Sequence, residues 1–156
     1  MISIVGLGNA ASAIAELFAD IKQYKVYKLN SSVSKNNKYE FKLKNYDVPE
    51  EYEQNIPNVE KFFKDSSDYI QFFVMGGSFS SNYTLGILEQ IKDKKIDLIY
   101  IQPDTELLTG YPVLVENTTF GVLQEYARSG LLNSITVISN LHIEESLGDL
   151  NIKTYY

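Results

Sequence analysis

The sequence has no cysteine and a single histidine, His142. The first absence excludes disulfides and thiolate chemistry, and one imidazole leaves a transition-metal centre without its usual ligand set. No apolar run approaches the ~18 residues that a membrane-spanning helix needs. Basic residues are outnumbered, with 14 Lys and Arg against 20 Asp and Glu and a formal net charge of −6. That balance disfavours a nucleic-acid partner, because neutralising phosphates takes Lys and Arg clustered on one face. The four lysines between Lys35 and Lys44 are the partial exception, and a solvated loop or hairpin explains them. Met1 to Val5 enter an apolar run without a basic leader, so neither a signal nor a transit peptide is expected, and the expected location is cytoplasmic.

What is present fits one domain over 1–156, with no separate activation domain: 156 residues, 44% of them hydrophobic, suffice for one core. Ile2 to Val5 reads as a strand, Gly6-Leu7-Gly8 as a tight turn, and Ala10 to Ile21 as a helix with Ile14, Leu17, Phe18 and Ile21 as its apolar stripe. Lys25 to Leu29 alternates as a half-buried strand does. Tyr39, Phe41 and Leu43 share one side of a short strand, and Val59 to Phe63 reads as the end of an acidic helix after Pro49. Tyr69 to Met75 is a buried strand closed by Gly76-Gly77, with Leu85, Leu88 and Ile91 at helical spacing beyond it. Ile96 to Ile101 and Ile135 to Ile138 are further buried strands. Between them a helix is expected from Pro112 to about Ser129, with Gly130 as its C-cap, and Ile143 to Leu147 begins one more. This alternation predicts an α/β, three-layer Rossmann-like domain: a mainly parallel sheet flanked by helices and joined by right-handed crossovers.

In such sheets ligands sit beyond the carboxyl ends of the strands, where glycines let a phosphate approach the N–H groups of a helix N-terminus. Two loops meet that description: Gly6-Leu7-Gly8-Asn9-Ala10-Ala11-Ser12 and Gly76-Gly77-Ser78-Phe79-Ser80-Ser81-Asn82. Either one alone is better explained without a ligand, as a turn closed by glycine, with Ser80 or Ser81 as an N-cap in the second. The first also approximates the dinucleotide fingerprint G-x-G, with Ala11 or Ser12 near the third glycine position. The second strand, however, ends at Leu29-Asn30 rather than at an acid that would hold a ribose.

Ile4-Val5-Gly6-Leu7-Gly8-Asn9-Ala10 resembles the first nucleotide loop of the tubulin/FtsZ family, which centres on a Gly-Asn pair. Met75-Gly76-Gly77-Ser78-Phe79-Ser80-Ser81 resembles that family's phosphate loop G-G-G-T-G-S-G, with Ser78 for Thr and Ser80 at the serine. Gln102-Pro103 is similar to the family's strand end before a proline, and Asn133 to Asn140 resembles its Asp-Ser-Leu-Ile-Thr-Ile-Pro-Asn run. The resemblance covers most of the chain in order. It implies a guanine-nucleotide-binding domain taking GTP or GDP, with Mg²⁺ only alongside bound nucleotide. Gly6, Gly8 and Asn9 would line one side, Gly76, Gly77, Ser78, Ser80 and Ser81 would cradle phosphate, Glu106 would reach the ribose, and Asn140 would meet base or ribose. The phosphate loop departs from the pattern at Met75, Phe79 and Ser81. The family's water-activating acids lie in a second domain that this sequence does not contain, so weak or no intrinsic hydrolysis is expected. By the same resemblance the partner is a second copy of the chain or another protein.

Two alternatives keep the fold but change the function: a non-catalytic interaction or assembly module that has lost nucleotide binding, and an NAD(P)-binding Rossmann domain. Glu50, Glu51 and Glu53 read as an acidic surface run rather than a metal cluster, His142 as a helix-start residue, and Tyr155-Tyr156 as a terminus able to pack on a partner.

Overall fold

The computed structural model describes residues 1–76, 78, 80–102 and 111–139. Their strands are β1 (Ile2–Leu7), β2 (Tyr24–Asn30), β3 (Glu40–Lys42), β4 (Tyr69–Met75), β5 (Lys95–Gln102) and β6 (Ser134–Ser139). They form one sheet in the order β3-β2-β1-β4-β5-β6, and every neighbouring pair is parallel. The helices are α1 (Asn9–Glu16), α2 (Pro49–Gln54), α3 (Thr84–Gln90) and α4 (Tyr111–Ser129), with a short 3-10 turn over Ser80–Tyr83 leading into α3. The expected α/β sandwich is therefore present, and its strand order is that of the doubly wound nucleotide-binding folds.

Alternate strand residues face opposite layers. Val5, Leu7, Tyr27, Leu29, Phe72, Val74, Leu98 and Tyr100 join one buried cluster with Tyr52 of α2, Ile87 and Leu88 of α3 and Leu123 of α4. α1 packs on the other face, where Phe18 beyond its end meets Phe73 of β4. β1 continues leftward into β2 through α1, whereas β4 continues rightward into β5 through α3. The helices fall on the two faces to which right-handed crossovers assign them.

Two helix readings need correction. The buried face of α1 is Ala11, Ser12 and Ala15, while Leu17 is 64% and Ile21 39% exposed. After Glu16 the chain tightens into i→i−3 bonds, Leu17 to Ile14 and Phe18 to Ala15, which rotates the large apolar residues off the helical stripe. Small residues on that face let α1 approach the sheet closely. Val59 to Phe63 is also not a helix end: α2 stops at Gln54, Pro57 intervenes, and the i,i+4 spacing closes one isolated turn through the Phe63 N–H to Val59 oxygen bond. Gln90 Oε1 accepts the Val59 N–H at 2.7 Å, and both Val59 and Phe63 are buried.

The lysine-bearing segment is not a hairpin either, because β3 runs parallel to β2. Asn37 Oδ1 accepts the N–H groups of Tyr39 and Glu40 at 3.0 Å, fixing the bend before β3. Residues 31–39 hold no helix, so β2 and β3 are joined without one. Gly130 ends α4 at φ 85°, as expected of a C-cap. The helix expected from Ile143, His142 and the terminal tyrosines lie outside the described residues.

Candidate functional site

The connections leaving β1 and β4 diverge, and a crevice opens between the carboxyl ends of these two adjacent strands. It forms a cleft of about 300 Å³ lined by Leu7, Gly8, Asn9 and Ala10 from the first loop, Met75, Ser78 and Ser80 from the second, and Ser31 and Asn45 beyond β2 and β3. Both glycine-bearing loops therefore reach one site.

Gly8 is the residue on which the first loop turns. Its φ of 92° and ψ of 177° lie where a side chain is strongly disfavoured. Its N–H bonds Leu29 O at 2.8 Å, and its carbonyl accepts the first helical N–H, from Ser12, at 2.9 Å. No side chain caps α1. The N–H groups of Asn9, Ala10 and Ala11 thus have no intrahelical partner and stand at the positive end of the helix dipole; Asn9 and Ala10 line the cleft, whereas Ala11 is buried behind them.

Gly6 has a different reason to be glycine. A methyl there would sit 2.6 Å from Ala11 O and 2.8 Å from Ser12 Cα, so its absence lets α1 press onto β1. Ser12 Oγ donates to Gly6 O at 3.3 Å across the same contact. Of the two residues considered for the third fingerprint position, Ala11 is fully buried there. The loop reads G-x-G-x-x-A, a form that the dinucleotide fingerprint admits.

The second loop is largely occupied with itself. A methyl on Gly76 would lie 2.0 Å from Tyr100 Oη, and the Gly76 N–H already bonds Ile101 O at 2.9 Å. Ser78 Oγ donates to Met75 O at 2.8 Å and accepts the Ser81 N–H at 3.2 Å, while Ser81 Oγ donates to Ser78 O. These bonds cap the 3-10 turn, the serine role that sequence alone leaves open. Ser80 is the exception. Its side chain faces Gly8, with Oγ 3.3 Å from where a Gly8 methyl would be, and its hydroxyl has no hydrogen bond among the described residues.

Gly8, Asn9, Ser78 and Ser80 therefore line the cleft, while Gly6, Gly76 and Ser81 support its walls through packing and internal bonds. Gly77, Glu106 and Asn140 lie outside the described residues, as does Phe79. Ser31 and Asn45 carry no glycine or motif. The signal that finds them is position, since each closely follows a strand whose carboxyl end must share the same edge of a parallel sheet.

A second cleft of about 430 Å³ adjoins the first across Asn9. Asn9, Ser12, Glu16, Lys28, Asn30 and Glu40 are among its lining. Lys28 Nζ pairs with Glu16 Oε2 at 2.7 Å, but both side chains meet solvent and the pair adds little stability. Asn30 ends β2 with its side chain almost buried, and its Oδ1 accepts only a long 3.5 Å bond from the Ser32 N–H.

No titratable side chain lines the first cleft, so nothing among its described lining can act as a general acid or base. No group of three or more His, Cys, Asp or Glu able to hold a metal occurs among the described residues, and Glu50, Glu51 and Glu53 remain a surface run on α2. Among those residues no helix is long and apolar enough to cross a membrane. A scan against protein-family models found no match for this chain, and a search of curated proteins found none.

Proposed function

We propose that the chain binds a nucleotide in the β1–β4 crevice, with phosphate oxygens accepting from the N–H groups of Asn9 and Ala10. One observation carries this reading: a glycine at φ 92° opens an uncapped helix directly onto the switch point of a doubly wound sheet. Ser80 Oγ and the Asn9 amide add two side-chain donors. Guanine nucleotides are the first ligands to expect, because both loops resemble those of the tubulin/FtsZ family. By that resemblance Gly77, Glu106 and Asn140 would complete the phosphate, ribose and base contacts.

Any Mg²⁺ would enter with the phosphates, since the described cleft offers it no carboxylate. The same lack of a titratable lining favours binding with weak or no hydrolysis. Assembly with a second copy or another protein rests on the resemblance alone.

Two observations favour rival readings. The adjoining cleft at the end of β2 gives a dinucleotide room for a second ribose, which supports NAD(P), although Asn30 stands where the ribose-binding acid usually does. The self-bonded second loop supports an interaction module that has lost its ligand.

Thermal unfolding in Mg²⁺ with millimolar GTP, GDP, ATP and NADH separates all three, since a ligand at ~100 times its Kd adds about 2.7 kcal/mol. A guanine-selective rise supports the proposal. A rise with NADH alone transfers the site to dinucleotides, and no rise with any of the four refutes nucleotide binding.

A further inference from the structure

On the face of β2 opposite α1 lies a groove of about 370 Å³ that the nucleotide reading does not use. Tyr27 is part of its lining, and Phe41 and Phe62 flank it. Tyr27 is 1% exposed, and its hydroxyl is the one buried side-chain polar atom among the described residues with no hydrogen-bond partner. A buried hydroxyl without a partner is costly, whereas phenylalanine would pack the same ring without that cost. Burial, then the nearby Tyr39 and Asp65, push its pKa up to about 12, so at neutral pH it stays protonated and offers a donor.

The walls are aromatic. Phe62 meets Tyr27 edge-on at 5.5 Å and Phe41 at 5.5 Å, a geometry that presents ring surface to a flat guest. The rim is rich in donors. Asn36 Oδ1 accepts the Lys42 N–H, Asn37 Oδ1 those of Tyr39 and Glu40, and Asn58 Oδ1 that of Glu60, which leaves all three amide NH₂ groups free of that duty. Lys38 and Lys61 stand against one carboxylate, Asp65, so the rim is locally positive on a chain of net charge −6.

We infer that this groove is a second ligand site, for a planar heteroaromatic carboxylate whose ring acceptor takes the Tyr27 hydroxyl while its carboxylate meets the lysine and amide rim. A volume near the small end of ligand cavities suits one ring system rather than a polymer.

Isonicotinate and benzoate are matched probes, equal in charge and shape and differing in the ring nitrogen. Amide chemical-shift titration of the full chain should give saturable shifts at residues 36–41 and 58–65. Isonicotinate should bind about fivefold tighter than benzoate, the worth of one net hydrogen bond. Tyr27→Phe should abolish that preference without lowering the unfolding midpoint, and Lys61→Ala should weaken both ligands. The inference is overturned by unsaturable shifts, by equal affinity for the two probes in the native chain, or by a preference that survives Tyr27→Phe. A marked loss of stability in Tyr27→Phe would also overturn it, because the hydroxyl would then be satisfied structurally, by an ordered water.

Discussion

The loops after β1 and β4 have similar sequences and opposite construction. Both follow buried strands, both carry glycine and both lead into a helix, yet the first leaves three backbone donors without an intrahelical partner while the second, Ser80 apart, spends its described donors on its own backbone and on β5. Gly8 is glycine for its backbone angle; Gly76 is glycine for the space that Tyr100 occupies. A glycine after a strand therefore has two separable meanings, and only the first points to a ligand.

The largest effect that separates the loops should come from Gly76→Ala. Its new methyl would overlap the buried Tyr100 ring, so unfolding should be easier by about 3 kcal/mol. Among molecules that remain folded, nucleotide affinity should be unchanged, as denaturant melts paired with calorimetric titration would show. Gly6→Ala should cost about 2 kcal/mol by pushing α1 from β1, and here affinity should fall with stability because the helix N-terminus moves. If the two variants changed affinity equally, the distinction between the loops would be lost.

Ser78→Ala removes a hydroxyl that both donates to Met75 O and accepts from the Ser81 N–H. It should cost about 1 kcal/mol, with little change in ligand binding by the same titration. Asn9→Asp sharpens the contrast from the other side. A carboxylate in the first turn of α1 should stabilise the free chain by about 0.5 kcal/mol, yet it would repel a phosphate at the same N–H groups and weaken binding by about tenfold or more. A stabilised variant with unimpaired nucleotide affinity would place the phosphate elsewhere.

Much of the fold was legible because buried parallel strands announce themselves as apolar runs. Tyr69–Met75 and Lys95–Gln102 lie almost where their sequences put them. Helix faces were less so. The large residues of α1 suggest one face, but close approach at Gly6 selects Ala11, Ser12 and Ala15, and the chain tightens before Leu17 and Ile21 can turn inward. At Val59 and Phe63 the spacing was right and the length wrong, since a single turn held by Gln90 satisfies the same i,i+4 contact.

Legibility of the site follows the same division. Gly8, Asn9, Ser78 and Ser80 carried local signals. Ser31 and Asn45 join them only through strand order, a property of the whole sheet that no local pattern encodes. The jobs of Gly6 and Gly76 depend on what packs against them, Ala11 and Ser12 in one case and Tyr100 in the other, and those neighbours come from other elements.

The proposed division of labour is tested most directly by titrating Mg²⁺-GTP into the isotope-labelled chain and following the backbone amides. Saturable shifts should be largest at Asn9 and Ala10, should extend to Ser80, and should be small at Gly76, whose N–H is already bonded to Ile101 O. Silent amides at Asn9 and Ala10, or a response centred on Gly76 and Ser81, would show that the first loop is not the phosphate site.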